Sequence, residues 1–399
     1  MQPTRAPQQR HAVVREEYRR VVLAAITRSG PTTKAELVAR TGMSRPTIAA
    51  LVDELCGERL VAEIGHARPT GGRAAAQFAV NALAAVAIGI DLGATKLAGA
   101  LADLDGRILV EQVVPTPRAA GAPALAAVVD LARGLVDAAQ LEWSAVAQVA
   151  VGVPFSVAAD GVITNGSNIA GLEGVNVRSY LGERLETGLA VENDVNQAAF
   201  GELEQGIGRT VASFAFVAVG TGLGAGIVAD GQLLRGTRGA AGELAYLPMI
   251  GDRRRTGRGG VQLEAAVTQR GYRGALRAEL GAGAASAVSP RSTIGEILDA
   301  AGAGDRVAQR VVDDRAAIFA DALIALAAIA DPEVVVLGGG VGSHPVLVDA
   351  TARAVDRRSP WPLPVSASLL GPRAGLLGGI GIAVRDARAG LDLPLGPPR

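Results

Sequence analysis

Three strand-like stretches that each run into glycines place the strongest constraint on the fold of this chain. They are VAIGIDLGATKLAGAL at 86–101, FVAVGTGLGAGIVA at 216–229 and EVVVLGGGVG at 333–342. Glycine lets a backbone turn tightly or approach a ligand closely, and apolar runs of this length are typical of buried strands. Repeated strands and glycine turns predict an α/β body for everything after residue 84.

Each glycine turn has the residues to hold part of a nucleotide. Glycines expose backbone amides to phosphate oxygens, a threonine adds a hydroxyl donor, and an aspartate can hold a hydrated magnesium ion. One such turn alone is equally well explained as a simple connection, whereas three in this order favour a ligand. The candidate nucleotide-binding residues are Asp91, Gly93, Thr95, Lys96, Gly220, Thr221, Gly222, Gly338, Gly339 and Gly340.

The charge of the chain is divided unevenly, although Lys+Arg and Asp+Glu both number 39. Residues 1–82 carry twelve basic and seven acidic side chains, a net charge of +5, so the remainder carries −5. A basic segment on an acidic body is expected where only that segment contacts phosphates. On charge alone, a solvated segment with a chance excess of arginine remains the alternative.

Helical spacing and capping residues predict a winged helix-turn-helix domain over 1–82. The predicted helices are EEYRRVVLAAI at 16–26, KAELVART at 34–41 and RPTIAALVDELCGERL at 45–60. Thr33 and Ser44 can cap the second and third helices, and Gly42 ends the second. Two strand-like runs then flank HARPTGGR at 66–73, which resembles a wing loop. A three-helix packing module is the alternative.

Such a domain places the first turn of its third helix in the major groove of double-stranded DNA. We therefore expect Ser44, Arg45, Pro46 and Thr47 near base edges, with Arg45 reading guanine. Arg68 and Arg73 of the wing loop are expected to contact phosphates or the minor groove. A symmetric oligomer would require a palindromic operator.

Cysteine content and hydropathy indicate the cellular compartment in which this chain is expected. Cys56 is the one cysteine, so the chain can form no internal disulfide and has no cysteine cluster for zinc. The longest charge-free apolar run, at 322–330, is about half of what a membrane span needs. We expect a cytoplasmic protein with no membrane partner.

The ordered motifs DLGATK, VENDVNQAAFGE, GTGLGAGIV, GAAGEL and VVLGGGV resemble those of the ROK family (repressors, open reading frames and kinases). The resemblance extends from residue 84 to the C-terminus, and the added helix-turn-helix is similar to that of the family's repressor branch. It implies a two-lobed actin-like ATPase (ribonuclease H-like) body. Lobe one would span 84–197 and regain a C-terminal helix at about 372–392, and lobe two would span 198–371.

The resemblance also implies roles for individual residues. Asn193-Asp194 occupies the place of a kinase pair whose aspartate takes the proton from the sugar hydroxyl that attacks the γ-phosphate. A structural aspartate that caps the following helix is the alternative for Asp194. The implied sugar ligands are Asn168, Asn193, Asp194, Glu243 and Glu264. ATP and Mg²⁺ are implied if the chain is a kinase, and no cofactor is required for DNA binding.

The chain departs from the family's kinases at their structural zinc site. Tyr246 stands at the position of the zinc-binding histidine, and the CxCGxxGC run is replaced by GDRRRTGRGGVQ at 251–262. Four nitrogen or sulfur donors are needed and none is present, so zinc is not expected. The arginines of this replacement favour either a phosphate ligand or a solvated loop.

The sequence therefore predicts a sugar-responsive DNA-binding repressor of carbohydrate genes, assembled as a homodimer or homotetramer. Asp194 and all three glycine turns are retained, so an ATP-dependent sugar kinase with an appended helix-turn-helix is the alternative.

Overall fold

The computed structural model describes residues 6–67, 74–117, 121–158, 160–163, 172, 175–220, 222–247, 262–281 and 283–394. Within these ranges, no helix combines the length and the hydrophobicity of a membrane span.

The N-terminal segment folds as the predicted helices and strands. Its elements are α1 (Ala6–Ser29), β1 (Thr32–Thr33), α2 (Lys34–Thr41), α3 (Arg45–Gly57), β2 (Val61–His66) and β3 (Ala76–Val80). The three strands form an antiparallel sheet in the order β1-β3-β2. We call residues 6–82 the head. The described residues confirm the helix-turn-helix and the two strands that flank the wing loop.

The caps expected from the sequence are formed. The Thr33 hydroxyl accepts from the backbone N–H of Glu36. In return, the Glu36 carboxylate accepts from the backbone N–H of Thr33. Gly42 ends α2 in the left-handed conformation, at a φ of 71°. The Ser44 hydroxyl accepts from the N–H of Thr47 at 3.3 Å, at the start of α3. Ser44 therefore fixes where the third helix begins.

The predicted limits of α1 and α3, and the connection before α2, need correction. α1 begins at Ala6 rather than at residue 16, and α3 ends at Gly57 rather than at residue 60. Arg59 has a φ of 62°, and this left-handed residue turns the chain into β2. Thr32 and Thr33 pair with Phe78 and Gln77 as a short strand, which the sequence did not indicate because their partner strand lies far away along the chain.

The described part of the body forms two five-stranded sheets with the same topology. The first sheet comprises β4 (Val86–Leu92), β5 (Lys96–Asp103), β6 (Ile108–Pro115), β7 (Val146–Val153) and β8 (Gly188–Asn193), in the order β6-β5-β4-β7-β8. The second comprises β9 (Phe214–Val219), β10 (Leu223–Ala229), β11 (Gln232–Leu234), β12 (Val334–Gly338) and β13 (Val365–Ala367), in the order β11-β10-β9-β12-β13. Each sheet is an antiparallel three-stranded meander extended by two parallel strands. This repeat confirms the two-lobed ribonuclease H-like architecture.

Helices cover both sheets. They are α4 (Ala122–Ala138), α5 (Val177–Leu185), α6 (Asp194–Gln205), α7 (Gln262–Val267), α8 (Gln269–Gly281), α9 (Ile294–Gly302), α10 (Arg306–Ala330), α11 (Gly339–Gly342), α12 (Pro345–Arg358) and α13 (Ala374–Gly390). The apolar faces of α4 and α5 pack in the core of the first lobe. Those of α8, α9, α10 and α12 pack in the core of the second.

Helices α6 and α13 pack against each other where the lobes meet. A Cβ added to Gly378 of α13 would lie 1.8 Å from the carbonyl oxygen of Gln197, so the two backbones are in contact. The buried Gln197 amide donates to the carbonyl oxygens of Ile90 in β4 and Gly375 in α13, each at 2.9 Å. The predicted lobe boundary at residue 197 falls inside α6, and the domain limits stay predictions.

The head is joined to the body by α13 and by the linker at 82–85. Val22 and Ile26 of α1 belong to the same buried apolar cluster as Ile382 and Ala387 of α13. Arg20 of α1 also lies 3.2 Å from the Asp392 carboxylate, just beyond the end of α13. Helix α13 therefore contacts both the head and the sheet of the first lobe.

Candidate functional site

A cleft of about 510 Å³ lies between the two lobes, and residues predicted from separate motifs line it. Its walls include the turn at 93–96, the turn after β9, the start of α11 and the start of α6. Of the predicted nucleotide and sugar residues, it brings together Gly93, Thr95, Lys96, Asn193, Asp194, Gly220, Gly222, Glu243, Glu264, Gly339 and Gly340.

The turn at 93–96 joins β4 to β5 and presents exposed backbone to the cleft. The N–H of Gly93 donates to the carbonyl oxygen of Lys96 at 3.0 Å, closing the hairpin. Thr116, buried at the end of β6, supports the turn from behind. Its hydroxyl donates to the Gly93 carbonyl at 2.7 Å, and its N–H donates to that of Thr95 at 3.1 Å. The turn is therefore held rigidly while Thr95 and Lys96 stay exposed.

Asp91 lies behind this turn and faces the first residues of α13. A Cβ added to Gly375 would lie 2.6 Å from an Asp91 carboxylate oxygen, so only glycine permits this approach. Burial raises the pKa of Asp91 to about 6, and the charge of Lys96 opposes that shift. Asp91 is thus a partly desolvated carboxylate beside a phosphate-type turn, as a magnesium-holding group would be.

The second and third glycine turns face the first across the cleft. The N–H of Gly220 donates to the carbonyl oxygen of Gly222 at 3.0 Å, and Gly339 has a φ of 81° that favours glycine. Gly338 is buried in β12, and an added Cβ there would lie 2.2 Å from the Phe216 ring. Packing against Phe216 therefore explains this glycine without a ligand. Thr221 lies outside the described residues.

Asn193 and Asp194 form the start of α6 and also line the cleft. The Asn193 side-chain oxygen accepts from the N–H groups of Val195 and Asn196, each at 3.0 Å, so Asn193 is the helix cap. Asp194 is the first residue within the helix, and its carboxylate also accepts from the N–H of Val195, so its role stays a prediction.

The Asp194 carboxylate is desolvated and close to other acids. Burial is the largest cause that raises its pKa to about 7, and the charges of Asp91 and Glu243 add to the effect. A hydrogen bond from the Val195 N–H at 2.8 Å opposes it. A carboxylate with a pKa near neutrality can accept a proton at working pH, as a general base must.

Glu243, Tyr246 and Glu264 line the wall of the second lobe in this part of the cleft. The Ser156 hydroxyl hydrogen-bonds to a Glu243 carboxylate oxygen. Burial and then the charge of Glu243 raise the pKa of Glu264, against a backbone hydrogen bond from Leu223. Burial and the same two carboxylates also raise the pKa of Tyr246, whose side chain is half-exposed. The tyrosine hydroxyl therefore lies among the acids. Asn168 falls outside the described residues.

The cleft also includes residues that the sequence analysis missed. Pro154 and Phe155, directly after β7, line it, and Ser156 contacts Glu243. The available signal was the buried apolar strand at 146–153, which ends at a turn residue, Pro154, as the other site-bearing strands end at glycine or Asn-Asp. Gly242, at a φ of 83°, also lines the cleft and lets the loop before Glu243 pass close to β10.

The described residues include no group of three or more His, Cys, Asp or Glu side chains arranged to hold a metal ion. Residues 251–261, which replace the kinases' cysteine run, lie outside the described ranges. The absence of zinc therefore stays a prediction.

The first turn of α3 forms the candidate DNA interface of the head. Ser44, Arg45 and Pro46 are exposed and Thr47 is half-buried. The Ser44 and Thr47 hydroxyls lie 2.8 Å apart, and Arg45 forms no ion pair with any described residue. This turn therefore presents the Arg45 side chain to solvent. Arg68 and Arg73 of the wing loop lie outside the described residues.

Comparison with known proteins gives two family matches. The model of the ROK family matches residues 87–385, and that of the MarR family matches residues 21–74. The xylose repressor of Bacillus subtilis (strain 168) is 26% identical over 238 residues, which are 59% of this chain and 61% of that protein. The N-acetylmannosamine kinase of Escherichia coli O157:H7 is 31% identical over 268 residues, 64% of this chain and 83% of the kinase.

Among solved structures, a ROK family transcriptional regulator described as a homolog of the E. coli MLC protein superposes with a TM-score of 0.73. The superposition covers 95% of this chain and 99% of the regulator, at 22% identity. This likeness shows a shared fold across both head and body.

Proposed function

Since the chain belongs to the ROK family, and carries a MarR-type winged helix in front of the family's body, we propose that it is a sugar-responsive transcriptional repressor of carbohydrate genes. The observation that carries the proposal is the exposed first turn of α3, where Arg45 pairs with no described residue, on a head packed against the body that holds the cleft. The xylose repressor and the MLC-like regulator support this assignment. Such a protein would act in the cytoplasm on operator DNA, as a homodimer or homotetramer.

The cleft and the head are linked through α13. A sugar held by Asn193, Asp194, Glu243 and Glu264 would favour one relative position of the lobes. Because the start of α13 packs at Ala374 with strands of the second sheet and its far end packs in the core of the head, a lobe movement would change the placement of the heads. A ligand shifts such an equilibrium only by its different affinity for the two states, and a change from 99% to 1% needs about 5.5 kcal/mol.

The nucleotide half of the cleft fits a nucleotide phosphate with magnesium. Thr95 and Lys96 of the first turn, with Gly222 and Gly340 across the cleft, would hold the phosphates. Asp91, which lies behind the first turn, would hold the hydrated ion. When bound, the group would supply a transferable phosphoryl group. The buried Thr116 would keep the first turn in place, and Gly375 would keep Asp91 close to α13.

A sugar kinase is the second candidate, favoured by Asp194. Its carboxylate lines the cleft and has a pKa of about 7, which suits acceptance of a proton from a sugar hydroxyl. A coupled assay of ADP release over D-glucose, D-xylose and N-acetyl-D-mannosamine tests this function. Activity that Asp194→Ala abolishes would establish the kinase, and activity that survives the substitution would disprove the role of Asp194.

Fluorescence anisotropy on DNA tests the regulator. The full chain is titrated onto the upstream region of its own gene and onto scrambled DNA at two salt concentrations, with and without the same sugars. We expect a sequence preference that persists at the higher salt and that one sugar weakens. Salt-sensitive binding without preference, unmoved by any sugar, would refute the regulator.

Arg45→Ala tests the placement of the recognition helix. A bidentate guanine contact contributes about 1–3 kcal/mol of discrimination, so the variant should lose about 5- to 150-fold in preference for the operator. Arg270→Ala, which removes an exposed arginine from α8 in the body, is the matched control and should keep the preference. Equal preference in Arg45→Ala and the wild type would contradict the proposed interface.

A further inference from the structure

An ion pair connects the edges of the two sheets beside the cleft. The Arg235 Nε atom lies 2.6 Å from a Glu192 carboxylate oxygen. Glu192 belongs to β8, the edge strand of the first sheet, and Arg235 directly follows β11, the edge strand of the second. The Glu192 side chain is only 13% exposed, whereas the Arg235 side chain is 46% exposed, so the pair has a shielded carboxylate and a guanidinium open to water.

Glu192 is also bonded to the turn that carries Asp194. Its second carboxylate oxygen accepts from the N–H of Asn193 at 3.1 Å and from the side-chain amide of Asn196 at 3.2 Å. These contacts hold the cap and first turn of α6. Arg235 therefore acts on the position of Asp194 through a single intermediate carboxylate.

Arg235 also begins the loop that ends at Glu243. The carbonyl oxygen of Arg235 accepts from the N–H of Ala241 at 3.2 Å. The far end of this loop is attached to the first lobe through the Ser156–Glu243 hydrogen bond. In its middle, a Cβ added to Gly239 would lie 2.4 Å from the carbonyl oxygen of Val157. The loop at 235–243 thus contacts the first lobe at its start, middle and end.

We propose that Arg235 is a positioning residue for the sugar site. Through Glu192 it holds the start of α6 against the loop at 235–243, so that Asp194 and Glu243 face the same ligand. Without the pair, each lobe would keep its own carboxylates, but their separation would no longer be fixed. The ligand would then bear the cost of ordering them. This inference rests on the proposed sugar-binding function.

Calorimetric titration of the full chain with D-xylose, D-glucose and N-acetyl-D-mannosamine tests the proposal. The wild type first identifies which of these sugars binds, and that sugar is then titrated into Arg235→Gln, Glu192→Gln and the double variant. We expect each single variant to bind about tenfold more weakly. Because the two residues act through one contact, the double variant should bind no more weakly than either single variant.

Two further variants separate positioning from general destabilisation. Arg235→Lys keeps the charge and should recover part of the affinity. Arg310→Gln removes an ion pair of nearly the same length, 2.7 Å, between α10 and α8 within one lobe. It should bind sugar as the wild type does.

The outcomes are distinct. Unchanged affinity in Arg235→Gln, or losses that simply add in the double variant, would overturn the positioning role while leaving the sugar site in place. The positioning role is also overturned if Arg310→Gln weakens binding as much as Arg235→Gln. A wild type that binds none of the sugars would overturn the proposed function, and the positioning role with it.

Discussion

Replacing Asp194 with asparagine should stabilise the ligand-free protein, and the gain should grow with pH. Asp194 lies among acids in the cleft, where its pKa is raised from 3.8 to about 7. Asparagine keeps an oxygen that can accept from the Val195 N–H, but it carries no charge. The substitution therefore removes the repulsion and the desolvation of a carboxylate while preserving the local hydrogen bond.

The sign and size of the effect follow from the pKa. Because the pKa is higher in the folded protein than in the unfolded chain, the folded protein binds an extra proton between pH 3.8 and about 7. Wild-type stability therefore falls as the pH rises through this window. From pH 5 to pH 7 the folded protein loses about 1.36 kcal/mol of stability for each of two pH units, or about 3 kcal/mol. The asparagine variant lacks this loss, so its advantage should increase by that amount between pH 5 and pH 8.

Urea unfolding of both proteins at pH 5, 6, 7 and 8 measures the difference. Asp130→Asn serves as the control, because it changes an exposed carboxylate of α4 and should leave the wild-type pH profile unaltered. An advantage of Asp194→Asn that stays constant from pH 5 to pH 8 would refute the account of a desolvated, repelled carboxylate. The variant should also bind sugar differently, since carboxylates accept but do not donate hydrogen bonds.

Two glycines give further predictions. Gly375→Ala should destabilise the protein by about 1–3 kcal/mol in urea unfolding and raise the Kd for ADP, because its Cβ would meet the Asp91 carboxylate at 2.6 Å. Gly390→Ala, in open space at the end of the same helix, should be neutral, and equal effects would contradict this packing. Gly242→Ala should abolish sugar binding in calorimetry, since its Cβ would lie 1.8 Å from a backbone carbonyl of β10. Gly231→Ala also has a positive φ but open space, and it should cost only about 1 kcal/mol and keep binding.

The sequence predicted those parts of the fold that depend on local patterns. The caps at Thr33 and Ser44 and the stop at Gly42 identified the helix-turn-helix, because capping involves residues only a few positions apart. β1 was missed for the opposite reason: two threonines become a strand only when Phe78 and Gln77 are present beside them. The first sixteen residues contain too few apolar side chains to show the true start of α1.

For the cleft, sequence patterns identified the members but not their arrangement. The motifs indicated Asp91, Asp194 and Glu243 separately, and their mutual repulsion appears only once the two sheets face each other. Gln197 and Arg235 carried no signal, since a glutamine in a helix and an arginine after a strand are common on surfaces. Their partners lie in other elements, and for Gln197 one of them is 178 residues away. Tertiary contacts of this kind leave no periodicity to detect.

The position of α13 has a consequence for synthesis of the protein on the ribosome. The strands of the first sheet are complete at Asn193, yet the helix that packs on β4 and β5 ends only at Gly390. At 5–20 residues per second, the intervening stretch of roughly 200 residues takes about 10–40 seconds to translate. For that time one face of the nascent sheet is left without its helix, and the lobe that begins first along the chain is finished last.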